Sequence, residues 1–125
     1  MRAHQILFVE DDVIASLASS DFLRDRGFRV IEVANAPLAA TIINQRGYLS
    51  ALVCDIDLGP GDDGFQIARQ ARIAHPELPV VFISAMAASR HMIEGVNGSV
   101  FIQKPYHPRQ VLEALRALSP SRSAA

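Results

Sequence analysis

Apolar runs alternate with helix-like stretches along this chain. Ile6–Val9, Arg29–Val33, Ala51–Cys54, Val80–Ile83 and Val100–Ile102 are short and rich in Val, Ile, Leu and Phe, as strands are. Between them, Val13, Ile14, Leu17, Ala18 and Phe22 make a helical stripe that stops at Gly27. Pro37 fits a helix first turn, Leu38, Ile42 and Ile43 share a face, and Gly47 closes that element. Phe65, Ile67, Ala68 and Ala71 predict a third helix ended before Pro76. Pro108 opens a last helix carrying Val111, Leu112, Leu115 and Leu118, whereas Met86 to Gly98 has room for a short helix at most. "NGS", Asn97 to Ser99, has the composition of a turn.

This strict alternation predicts an α/β fold with a parallel sheet covered by helices on both faces. "ILFV", "ALVC" and "VVFI" are continuously apolar, which suits central strands buried on both sides. "RVIEV" and "VFIQ" admit polar residues, which suits edges. Edges at the second and fifth strands are what the doubly wound, flavodoxin-like order 2-1-3-4-5 requires. In that order ligands bind beyond the carboxyl ends of the strands, at the switch between the first and third.

Composition adds limits. The 125 residues suffice for one domain with a core, and residues 119–125, "SPSRSAA", read as a disordered tail behind a domain of 1–118. A net charge of −1 argues against nucleic-acid binding through bulk charge. No apolar run is long enough to span a membrane, and the N-terminus lacks a secretory pattern. The lone Cys54 suits a reducing cytoplasm and reads as a small core residue. His4, His75, His91 and His107 show no metal-ligand spacing.

The chemistry gathers at strand ends. Glu10, Asp11 and Asp12 follow the first strand and Asp55 ends the third. Carboxylates converging in one crevice repel unless a hard cation joins them or their pKa values rise. Oxygen ligands with room for waters suit Mg²⁺. Ser84 ends the fourth strand and Lys104 the fifth. Lys104 is the only lysine among twelve basic residues, consistent with a position that needs a compact ammonium rather than a planar fork. Acids, a hydroxyl and an ammonium at one rim are the parts of a phosphoryl-transfer site.

From Gln5 to Leu118, the chain resembles the response-regulator receiver domain of two-component signalling. The resemblance rests on "VEDD", Asp55 at a strand end, Ser84-Ala85 and Lys104-Pro105, in the family's order and near its spacings. It implies that Asp55 takes a phosphoryl group from a histidine kinase or histidine phosphotransfer protein, with no enzymatic turnover beyond self-catalysed phosphorylation and dephosphorylation. It further implies that Asp11 or Asp12, Asp55 and the backbone carbonyl of Asp57 hold Mg²⁺. Ser84 and Lys104 would contact the phosphoryl oxygens, Phe101 would be the switch aromatic, and Lys104-Pro105 would be cis. A cytoplasmic location and an unidentified downstream protein partner go with this reading, with homodimerisation left open.

Two local patterns compete. "GPGDDG" matches a dinucleotide fingerprint, but it follows the third strand, and Asp62 and Asp63 would repel a pyrophosphate. "DID", Asp55 to Asp57, is similar to the nucleophile motif of haloacid-dehalogenase-like phosphatases, with Asp57 as general acid; its acid pair, however, lies upstream. The chain also departs from the receiver pattern: Gly59 adds one residue after the acceptor, giving Pro60 and Gly64, and Ser84 to Lys104 is short.

Overall fold

Apolar residues on both faces of the central strands demand cover on both sides, and the helices supply it. A computed structural model describes residues 5–45, 49–59, 63–85 and 94–118. The order is β1 (Gln5–Val9), α1 (Val13–Arg24), β2 (Arg29–Val33), α2 (Ala36–Asn44), β3 (Ala51–Asp55), α3 (Gly64–Ala74), β4 (Val80–Ser84), β5 (Val100–Gln103) and α4 (Pro108–Leu118). Gly47, Pro60, His4, His91, the tail 119–125 and most of the segment expected to hold a short helix lie outside the described residues.

All strand pairs are parallel, in the order β2-β1-β3-β4-β5. The two-residue alternation of each strand divides the core. Leu7, Val9, Leu52, Cys54 and Phe82 pack under α2 and α3 with Ile43, Phe65 and Ala68. Ile6, Phe8, Val53, Val81 and Ile83 pack under α1 and α4 with Leu23, Val111, Leu112 and Leu115. β3 and β4 are buried throughout, while β2 and β5 are partly exposed edges. Backbone bonds from Glu10 to Val33, Ile56 to Ile83 and Lys104 to Ser84, at 3.0, 2.9 and 2.9 Å, carry the ladder one step past the strands. They fix the rim on which the site stands.

Caps and turns explain several boundaries. Asp63 and Gln66 form a reciprocal capping box at the start of α3. Asn35 caps α2 and Pro37 sits in its first turn. Gly98, at φ 74°, supplies the left-handed residue for the turn before β5.

The stripe of α1 is corrected. Val13, Ile14 and Leu17 are 69%, 81% and 50% exposed, and the buried face carries Ser16, Ser19, Ser20 and Leu23. Both sets recur at helical spacing, so periodicity alone could not choose between them. The groups facing the helix decide it. Ser16 Oγ donates to Glu32 at 2.8 Å, and Ser19 Oγ lies 2.8 Å from the Tyr106 hydroxyl. Small hydroxyls hydrogen-bond these polar partners, which Val or Leu could not do. On α2, Leu38 is likewise half exposed, and Ala36, Ala39 and Ile43 form the buried face.

Candidate functional site

Strand alternation brings three charged side chains to one place. Glu10 continues the face of Ile6 and Phe8, Asp55 that of Ala51 and Val53, and Lys104 that of Ile102. At the rim, Lys104 Nζ is 3.0 Å from Asp55 Oδ2 and 3.0 Å from Glu10 Oε1. Asp55 Oδ1 accepts from the backbone N–H of Asp57 at 2.9 Å. Glu10 and Asp55 are both buried, at 2% exposure each.

Carboxylate oxygens of Glu10, Asp11 and Asp55 lie close enough together to ligate one ion. The donor set is all oxygen and acidic, as Mg²⁺ prefers. Glu10 Oε1 is buried and makes no hydrogen bond among the described residues; its partner is the Lys104 ammonium, as an ion pair. A cation at this position would meet an oxygen with spare accepting capacity, so the residues fit the ion.

Burial dominates the electrostatics of Glu10. Desolvation, then hydrogen bonding and charge at Asp55, push its pKa up to about 8, against smaller opposing effects from Lys104 and the Asp12 N–H. For Lys104, burial would lower the pKa, but hydrogen bonds to Asp55 and Glu10 outweigh it and raise it above the ordinary lysine value. The ammonium therefore stays charged. Burial also pushes the Cys54 thiol up, in keeping with a core residue.

The expected site residues are not all in one cluster. Asp11 joins the acidic triad, and Asp12 does not. Asp12 is the N-cap of α1, its Oδ1 accepting from Ile14 N at 3.1 Å and Ala15 N at 3.2 Å. Glu10 joins Asp11 and Asp55 as the third acid of the cluster, where the sequence pointed to Asp11 or Asp12; an acid two residues beyond Phe8 on the same strand face was the signal. Ser84 is fully buried at the end of β4, and its Oγ donates to Asp57 Oδ2 at 2.6 Å rather than reaching Asp55. Phe101 lies on β5, half buried against the core under α2 and α3. The Lys104-Pro105 bond is cis.

Comparison with known proteins decides what kind of domain carries this rim. The family profile of the response regulator receiver domain matches residues 6–116. The chain belongs to that family. It is 29% identical over 117 residues to the uncharacterized transcriptional regulatory protein YbdJ of Bacillus subtilis, covering 93% of this receiver domain and 51% of that relative. The receiver domain thus spans about half the length of YbdJ. A solved response regulator receiver protein from Sinorhizobium medicae is 32% identical, with a TM-score of 0.92 over 97% of this chain and 98% of that one. The receiver domain of the sensor histidine kinase PA1611 from Pseudomonas aeruginosa, solved with a magnesium ion in its active-site cleft, shares the fold. Its TM-score is 0.79 at 23% identity, over 94% and 98% of the two chains.

Family membership accounts for the doubly wound order and the acidic rim together, and the phosphatase reading of Asp55 and Asp57 is left without support. Among the described residues, no helix is long and apolar enough to cross a membrane.

Proposed function

We propose that Asp55 is the phosphoacceptor of this receiver domain and that Mg²⁺ is held by Asp11, Asp55 and the backbone carbonyl of Asp57, with Glu10 beside them. The observation that carries this reading is the setting of Asp55. It is a buried carboxylate held by Lys104 at 3.0 Å and by the Asp57 N–H at 2.9 Å, within ligand distance of two further acids. The PA1611 receiver domain, which holds magnesium in its cleft, supports the choice of ion.

In the reaction, an Asp55 carboxylate oxygen attacks the phosphorus of a phosphohistidine on a histidine kinase or histidine phosphotransfer protein. An O–P bond forms, the N–P bond breaks, and the imidazole departs with the bonding pair. Held by these residues, Mg²⁺ would supply charge neutralisation for the phosphoryl oxygens. Lys104 gives a second fixed positive charge at the same carboxylate, and the Asp57 N–H keeps the carboxylate oriented. Ser84 and Phe101 would then report the acyl phosphate to a downstream protein surface. A cytoplasmic location follows from such a donor.

Incubation with acetyl phosphate and Mg²⁺, followed by intact-mass measurement, tests the assignment. One phosphoryl group should be added to the wild type and none to Asp55→Asn. An undiminished adduct on that variant would place the acceptor elsewhere, with Asp57 the first residue to examine.

A further inference from the structure

Ser84 is the hydroxyl that the proposed switch needs, and it is engaged elsewhere. Its Oγ donates to Asp57 Oδ2 at 2.6 Å, the short distance of a hydroxyl on a charged acceptor. The backbone of Asp57 meanwhile donates to Asp55 Oδ1. One residue therefore touches the acceptor carboxylate through its N–H and the switch hydroxyl through its side chain. The phosphoacceptor reading uses the backbone carbonyl and N–H of Asp57 and leaves its carboxylate without a task.

We propose that the Asp57 carboxylate is a positioning group that latches Ser84 in the off state. It competes with the phosphoryl group on Asp55 for the single hydroxyl proton. The inference rests on the phosphoacceptor reading. A serine hydroxyl donates one hydrogen bond at a time, so the gain on meeting a phosphoryl oxygen is offset by the bond given up at Asp57. Both acceptors are anionic, and the balance between them sets how far phosphorylation shifts the domain. Asp57 is exposed, so water replaces Ser84 when the latch opens; Ser84 is fully buried and depends on protein or phosphoryl acceptors in either position.

A double-mutant cycle separates the latch from simple charge repulsion. Wild type, Asp57→Ala, Ser84→Ala and the double variant are titrated with beryllofluoride, each at Mg²⁺ saturating for that variant, and followed at the Phe101 amide. Asp57→Ala should tighten binding roughly tenfold, about 1.4 kcal/mol, and should have no such effect in the Ser84→Ala background. A gain of equal size in both backgrounds would show repulsion alone and overturn the latch, as would the absence of any gain. A second readout needs neither metal nor beryllofluoride. The Ser84 ¹³Cβ shift should move in metal-free Asp57→Ala, and an unmoved shift refutes the latch. Wild-type protein that takes no beryllofluoride overturns the phosphoacceptor reading and the latch with it; a wild type that binds while the cycle shows no coupling overturns the latch alone.

Discussion

The Lys104 ammonium stands 3.0 Å from Asp55 Oδ2 and serves Glu10 at the same time. A compact charge with three donors can bridge two carboxylates in a narrow space, whereas a guanidinium spreads its donors over a plane. Lys104→Arg should therefore fold and bind Mg²⁺ while misplacing the cation that meets the phosphoryl group. We expect it to lose more than half of the beryllofluoride-induced shift at Phe101. Paired amide spectra of variant and wild type, with and without beryllofluoride, make the comparison. Equal shifts would show that any cation serves there.

Glu10 should give metal binding a pH dependence. Its pKa stands near 8 in the fold against 4.5 as a free side chain, because burial and Asp55 disfavour its charge. Below the lower value both folded and unfolded chains hold the proton, and this group contributes nothing. Between the two values the unfolded chain releases it first, so the metal-free fold loses stability as pH rises, until the folded group also ionises near 8. A cation favours the ionised form, so Mg²⁺ affinity should rise roughly tenfold between about pH 7 and pH 9. Glu10→Gln should flatten the profile. Titrations at each pH, followed at the Asp11 amide, measure it; a flat wild-type profile would mean that Glu10 is already ionised.

The sheet order was legible because strand composition reports burial directly. "ILFV" and "VVFI" cannot be edges without exposing apolar rows, and "RVIEV" cannot lie inside without burying Glu32. Asp55 and Ser84 were legible because each ends a strand, and Lys104 because it directly follows one. Glu10 was harder to see within three successive acids, where composition does not say which one turns inward; strand alternation from Phe8 does. The α1 face was illegible for a different reason. Hydrophobicity marks Val13, Ile14 and Leu17, but Ser16 and Ser19 lie against Glu32 and Tyr106, partners that come from distant parts of the chain. The Ser84 bond to Asp57 spans 27 residues and depends on rotamers that no pattern encodes.

Asp12→Ala should behave as a lost helix cap. Two backbone N–H groups at the start of α1 lose their acceptor, at a cost of about 1 kcal/mol in unfolding free energy. Mg²⁺ affinity should change much less than in Asp11→Ala, which removes a member of the acidic triad. Denaturant unfolding and Mg²⁺ titration of both variants separate the roles. Equal losses of affinity would return Asp12 to the metal site.

The exposed stripe of α1 makes a contrast in stability. Ile14→Gln removes a side chain that is 81% exposed and should shift unfolding by less than about 0.5 kcal/mol. Leu23→Ala empties a fully buried position against α4 and the sheet and should cost about 2–5 kcal/mol. Urea midpoints of the two variants decide it. A large loss from Ile14→Gln would mean that the helix buries its apolar stripe after all.

Gly64 supplies a prediction whose sign is informative. Alanine is the better helix former by about 1 kcal/mol, so propensity alone would make Gly64→Ala stabilising. Packing opposes it. A Cβ on Gly64 would stand 2.6 Å from the Asp55 carbonyl oxygen and 2.8 Å from Ile56 Cα, both backbone atoms that cannot rotate aside. Gly64 N also donates to Ile56 O at 3.1 Å, which ties the start of α3 to the chain leaving β3. Relieving the overlap means moving the helix or the backbone that carries Asp55. We expect a net loss of about 1–3 kcal/mol, the usual range for overpacking, together with displaced Asp55 and Ile56 amide shifts and weaker Mg²⁺ binding. Denaturant unfolding, amide spectra and metal titration of this single variant test all three. A stabilised variant with unmoved Asp55 shifts would show that α3 does not rest on the acceptor's own backbone.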